Sequence, residues 1–161
     1  MLTSPRSPSF YFIHLIGISV GGTRLPVTAT VFTDAGTIID SGTVITRLPQ
    51  AAYAALRSAF RSAMLRYTRI QVSTLLDTCY DFSNAGTVTY PVIKLHYTGV
   101  DVTLGSAGVF FFLGNSRYCL AFAGNTASGQ VGIIGNVQQK TFEVIYDIGA
   151  RRIGFAAGAC A

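Results

Sequence analysis

The segment TIIDSGTVITRLP, residues 37–49, carries the chemistry most open to reading: an apolar run enters Asp40-Ser41-Gly42-Thr43, and an apolar stretch then resumes. Glycine at position 42 lets the backbone turn tightly. The hydroxyls of Ser41 and Thr43 on either side of it can donate to the Asp40 carboxylate and hold it in one orientation. The same tetrapeptide also satisfies an Asx-type turn between two strands. Taken alone, these four residues leave both readings open.

No other acidic residue has such a setting. Asp34 lies six residues earlier, but Asp34-Ala35-Gly36-Thr37 lacks the hydroxyl after the acid and reads as a turn. Asp77, Asp81, Asp101, Glu143 and Asp147 have strand-end or surface contexts. The cysteines Cys79, Cys119 and Cys160 and the histidines His14 and His96 fit no zinc spacing, so neither a metal nor a cofactor is expected. Three cysteines give one disulfide and one leftover thiol, which is either unpaired or bonded to another chain.

Short strands must position this loop. Residues 1–9 are Ser/Pro-rich and read as an extended linker, and 10–20 read as a strand ended by Gly21-Gly22. A further extended stretch is expected over 24–33. Pro49 opens the one convincing helix, roughly 50–65, where Tyr53, Leu56, Phe60 and Met64 recur at spacings of three and four and form an apolar face. Strands are then expected over 92–97, 101–104, 109–112, 118–122 and 131–134. Residues 142–146 and 153–155 flank Asp147-Ile148-Gly149-Ala150 as a hairpin. The fold class is all-β with minor helix.

Composition agrees and narrows the function classes. Half of the 161 residues are apolar and only 12% are charged, with 17 glycines, which suits one compact sheet-rich domain and not a disordered chain. The net charge of +5 is spread out: Arg57, Arg61, Arg66 and Arg69 follow the helix and its exit, and Arg151 and Arg152 sit in a turn. Without a dense basic block or a recognisable module, the arginines read as a solvated face, and nucleic acid is not expected as a partner. The runs FYFIHLIGISV and GVFFFLG are too short or too broken to span a bilayer, so no membrane segment is expected. The N-terminus lacks a signal-peptide cleavage pattern.

Further segments give Asp40 a context. Gly132-Ile133-Ile134-Gly135-Asn136, FEVIYD at 142–147 and RIGFA at 152–156, taken with DSGT, resemble one lobe of a pepsin-like aspartic protease. FYFIHLIGISVGGTRL, LPQAAYAAL, LDTCYDFS, YCLAFAG, GIIGNVQQKTFEVIYD and RRIGFAAGAC look like the C-terminal lobe of plant nepenthesin-like proteases, in order from about Phe10 to Cys160. The resemblance implies that residues 10–161 form such a lobe, part of a pepsin-like barrel. It makes Asp40 the catalytic aspartate and Thr43 a hydroxyl donor to it. Ser41 would take part in a grip between two Asp loops, and Gly42 would permit the close approach. Ile133-Ile134-Gly135 would be the strand threading a ψ-shaped loop. The resemblance further implies a Cys79–Cys119 disulfide and makes Cys160 a candidate for a bond to another lobe.

Aspartic proteolysis needs two carboxyls sharing one proton, and these 161 residues contain only one D-[ST]-G-[ST]. The resemblance therefore implies a polypeptide substrate and a need for an N-terminal lobe or a second copy of the chain. Two other expectations compete. One is a non-catalytic binding protein of the plant xylanase-inhibitor type, although those proteins tend to lose the loop that this chain keeps. The other is a truncated product without activity of its own. The family and the disulfide imply a secreted or vacuolar route.

Overall fold

The computed structural model describes residues 2–4, 7–72 and 74–158. Cys160, the candidate for an interlobe bond, lies outside the described residues. The chain folds as β1 (Leu2–Ser4), β2 (Ser7–Ile13), β3 (Leu15–Val20), β4 (Thr23–Arg24), α1 (Thr30–Thr33), β5 (Thr37–Ile39), β6 (Thr46–Leu48) and α2 (Gln50–Ala63). It continues as β7 (Arg69–Ile70), β8 (Cys79–Asp81), β9 (Ile93–Tyr97), β10 (Val100–Leu104), α3 (Ser106–Val109), β11 (Phe110–Phe112), β12 (Arg117–Leu120) and β13 (Phe122–Gly124). The last elements are β14 (Gly132–Ile134), α4 (Asn136–Gln139), β15 (Phe142–Asp147) and β16 (Arg152–Ala157). The expectation of an all-β fold with minor helix holds, since α2 is the one helix longer than a single turn among the described residues.

Among the described residues, the strands form three sheets and a hairpin. The largest sheet runs β1-β2-β5-β14-β6-β13, a second runs β10-β9-β3-β4, a third runs β11-β12-β8-β7, and β15 pairs with β16. Strand β9 shows why pattern reading succeeds: Ile93, Leu95 and Tyr97 are buried, while Lys94 and His96 between them are not. This is the period-2 alternation of a sheet with one face on the core. Helix α2 turns Tyr53, Leu56 and Phe60 inward, with Met64 fully buried just past its end. Pro49 is the residue before the helix, and its carbonyl accepts from the Tyr53 amide at 2.9 Å.

Four segments depart from expectation, one being 118–122, where Leu120 ends β12 and Phe122 begins β13 in a different sheet. The strand expected over 10–20 is two strands in different sheets, separated at His14. Ile13 and Leu15 are both buried on either side of an exposed His14, so the alternation runs unbroken while the chain changes sheets. The stretch 24–33 is not extended throughout, because Thr30–Thr33 close a helical turn that buries Phe32. Residues 109–112 are divided, with Val109 ending α3 and only Phe110–Phe112 forming a strand. At the N-terminus, Leu2–Ser4 pair antiparallel with β2, so these residues of the expected linker belong to a sheet.

The three phenylalanines have separate fates on β11, an edge strand of its sheet. Phe110 joins an aromatic cluster, edge-on to Phe60 at 5.9 Å and to Phe82 at 5.8 Å between ring centroids. Phe111 packs against a small buried cluster that includes Cys79 and Cys119, and Phe112 stays 56% exposed over the Tyr118 ring. Those cysteines face each other across β8 and β12 and form the expected disulfide. No helix among the described residues is long and apolar enough to cross a membrane.

Candidate functional site

The Asp40 loop is built by one strand inserted between two others. Strand β14 runs parallel to β5, with Gly132, Ile133 and Ile134 opposite Thr37, Ile38 and Ile39. On its other side, Ile133 pairs antiparallel with Arg47 of β6. Since β5 and β6 are the two arms of the segment that carries Asp40, the 132–134 strand threads that loop. The β-branched residues of TII and GII suit so enclosed a position.

Glycine is required where the strand leaves the loop. A Cβ at Gly135 would lie 2.7 Å from the Val44 carbonyl oxygen and 2.9 Å from that of Thr43, and both are backbone atoms that cannot swing away. The close approach is used for hydrogen bonding. The Asn136 amide donates to the Thr43 carbonyl at 2.7 Å, the Val137 amide donates to that of Val44 at 3.2 Å, and the Asn136 side chain donates to the Ser41 carbonyl at 3.1 Å.

Asp40 sits at the end of β5, partly exposed, with its own amide donating to the Ile134 carbonyl at 3.0 Å. Its carboxylate accepts from the Gly42 amide at 2.9 Å on one oxygen and from the Thr43 hydroxyl at 2.6 Å on the other. Both donors are neutral. Among the described residues, no salt bridge engages this carboxylate. Ser41 is exposed at the tip of the loop. Asp40, Ser41, Gly42, Thr43, Ile133, Ile134 and Gly135 are thus brought together. Asp34 stands outside this loop, in the turn that follows α1.

Four contributors were not visible in the sequence reading. Thr46, fully buried, accepts from the Gly135 amide at 2.9 Å and donates to the Gln138 side-chain oxygen. Gln138, 2% exposed, donates in turn to the carbonyls of Gly108 at 2.8 Å and Ala121 at 3.1 Å. This buried polar chain ties the loop to α3 and to the residue between β12 and β13. Its members lie 89 and 92 residues apart, so no local pattern betrays them. On the open side, Tyr146 of β15 packs on Tyr11 with ring centroids 5.2 Å apart. Tyr11 pairs across the sheet with Ile39, the residue before Asp40, so Tyr146 lies in the neighbourhood of that loop. Burial, then the charges of Asp40 and Tyr11, push its phenol above the ordinary range.

Comparison with known proteins gives the geometry a family. A crystal structure of EDGP superposes with a TM-score of 0.79 over 97% of this chain and 41% of that one, at 21% identity, a likeness of fold. An aspartyl protease family protein of Arabidopsis thaliana is 49% identical over 94% of this chain and 32% of its own length. Nepenthesin-1 of Nepenthes gracilis is 34% identical over 99% of this chain and 38% of its own length. The chain therefore spans roughly a third of the curated relatives it matches. The sequence profile described as xylanase inhibitor C-terminal matches residues 10–157. With nearly every described residue inside that match and the fold of one pepsin-like lobe, this chain belongs to the xylanase inhibitor C-terminal family, among relatives that are plant aspartyl proteases.

Proposed function

We propose that this chain is a carboxylate-bearing lobe of an aspartic endopeptidase, with Asp40 as its catalytic residue. The observation that carries the reading is the carboxylate itself, partly exposed and oriented by two neutral donors on a loop that another strand threads. In such an enzyme, the ionised member of a carboxyl pair takes a proton from water. The protonated member donates to the peptide carbonyl as it becomes tetrahedral. Thr43 and Gly42 hold Asp40 for that task, and Ile133, Ile134 and Gly135 hold the loop. No covalent intermediate on the protein is needed.

The second carboxyl comes from a complementary N-terminal lobe or from the Asp40 of a second copy. The polypeptide substrate lies between the two halves. The buried disulfide favours a secreted or vacuolar route. Binding to immobilised pepstatin at about pH 4 tests the reading, with the chain alone and mixed with the complementary lobe of a plant aspartyl protease relative. Retention by the mixture that Asp40→Ala abolishes is the expected result. Equal retention of the variant would remove Asp40 from the site.

A second reading has one observation behind it, the xylanase-inhibitor description of the matching family. On that reading the lobe is a binding surface that blocks another enzyme. A chain that inhibits a xylanase equally well with Asp40 or alanine at that position would favour it.

A further inference from the structure

A titratable cluster outside the Asp40 loop lies on the sheet β10-β9-β3-β4. One face of these strands carries the core residues Leu15, Ile18, Ile93, Leu95 and Val102. On the opposite face, three strands meet through one imidazole. His96 of β9 has its Nε2 at 2.7 Å from the Ser19 hydroxyl of β3, and its Nδ1 at 2.7 Å from the Asp101 carboxylate of β10. His96 and Asp101 are direct cross-strand partners, whose side chains share one face. The His96 side chain is 13% exposed and that of Asp101 49%.

The two neighbours fix where the ring carries its protons. A carboxylate has no proton to give, so Nδ1 carries the N–H that reaches Asp101. Nε2 of the neutral ring then accepts from the Ser19 hydroxyl. When the ring gains a second proton, Nε2–H donates and the hydroxyl turns to accept. Both forms are hydrogen-bonded at both nitrogens, and charging the ring adds an ion pair without loss of either bond.

Other charges face this ring. Lys94, on the same strand, approaches Asp101 at 3.7 Å and is itself 40% exposed. Arg24 of β4 lies over Gly17, the β3 partner of His96, where a Cβ would come within 2.4 Å of the guanidinium. It is exposed and donates to the Ile16 carbonyl at 2.7 Å. His14, just before β3, is exposed as well. Solvent screens these groups, whereas Asp101 touches the ring. The hydrogen bond from His96 does most to hold the Asp101 carboxyl below its ordinary 3.8, against desolvation, with the charges of His96 and Lys94 adding to it. A depressed carboxyl stays ionised down to that lower value, so the pair keeps its negative member until pH falls below 3.8. Imidazoles ordinarily take their second proton near about pH 6.5, which leaves a window of about pH 4 to 6.5 for an ion pair.

We infer that Ser19, His96 and Asp101 form an acid-strengthened clasp, which joins β3, β9 and β10 by hydrogen bonds alone near neutrality and by a His96–Asp101 ion pair in mild acid. Folds held by carboxylates lose stability as those groups protonate, and this clasp offsets part of that loss. It uses no residue of the Asp40 loop, so it stands whether or not the chain is a protease.

A double-mutant cycle on the full chain, with His96→Gln, Asp101→Asn and the pair, tests the clasp by urea unfolding at about pH 5 and about pH 8. The coupling between the two positions should be about fivefold in the unfolding constant at the lower pH and about twofold or less at the higher. Added salt at about 1 M should reduce the low-pH value. His14→Gln removes the same kind of group from an exposed position, and should leave the pH dependence of the unfolding constant within about twofold of wild type. Nitrogen NMR shifts of the His96 ring in the unmodified chain give a readout that needs no variant. The Nδ1–H tautomer is expected at the higher pH, with both nitrogens protonated at the lower. Coupling that is equal at the two pH values or larger at the higher one, or an Nε2–H tautomer, would overturn the proposal.

Discussion

Asp40 and Asp77 are two partly exposed carboxylates held in opposite ways. Asp77 is clamped by two arginines and two hydroxyls, so its charge is spent inside the fold, joining α2 to the segment that leads into β8. Asp40 is held by one amide and one hydroxyl, both neutral, and its charge has no cationic partner among the described residues. The effort around Asp40 goes into its backbone instead: a threaded strand, a glycine that no other residue can replace, and a buried polar chain beneath. A structural acid is neutralised, whereas a working acid is positioned and left open to a second group.

If that contrast is right, the largest effect comes from the backbone around Asp40 and not from either carboxylate. Gly135→Ala drives a methyl group into the Thr43 and Val44 carbonyls and should cost about 3 kcal/mol or more. Loss of the cooperative transition in denaturant would report it. Thr46→Val preserves shape but strands the Gly135 amide and the Gln138 oxygen, for a loss of about 1–3 kcal/mol in the same measurement. A wild-type transition in either variant would mean that the threaded arrangement matters less than its geometry indicates.

Removing the carboxylate charges themselves comes next and sharpens the comparison. Burial raises the Asp77 carboxyl, but hydrogen bonds from Tyr53, Arg57 and Thr78 outweigh it and hold the group below its usual 3.8. A depressed carboxyl contributes stability that is present above the unfolded value and lost as pH falls through the lower folded value. Asp77→Asn should therefore lower the melting temperature at pH 5–7, by an amount equivalent to about 1 kcal/mol or less given its solvent exposure. The gap between wild type and variant should close as pH falls below 3.8. Asp40→Asn should be the mildest for stability, within about 0.5 kcal/mol, since the variant keeps an acceptor for each of its two donors only in part but buries no new group. A larger loss for Asp40→Asn than for Asp77→Asn would invert the assignment of structural and working acid.

Much of this was legible in the sequence, and the exceptions have physical causes. The strands 92–97 and 142–146, the helix near 50–65 and the hairpin turn at 147–150 announce themselves by period and turn chemistry. The meeting of Asp40 with Ile133-Ile134-Gly135 came through family resemblance, because a parallel pairing across more than 90 residues leaves no local trace. The change of sheet at His14 was hidden by continuous alternation, and the helical turn at Thr30–Thr33 by β-branched residues that favour strands elsewhere. Thr46, Gln138 and Tyr146 were missed for a related reason. Only the fold converts an ordinary threonine, glutamine or tyrosine into part of a site.

The most direct test of the central claim is hydrolysis of an unstructured protein between about pH 3 and 5, comparing the chain with Asp40→Ala, each alone and each with a complementary lobe. Pepstatin-sensitive cleavage that requires Asp40 is the predicted result, with activity by the chain alone pointing to a pair formed between two copies. Cleavage that survives Asp40→Ala, or its absence from every folded combination, would contradict Asp40 as the catalytic carboxylate.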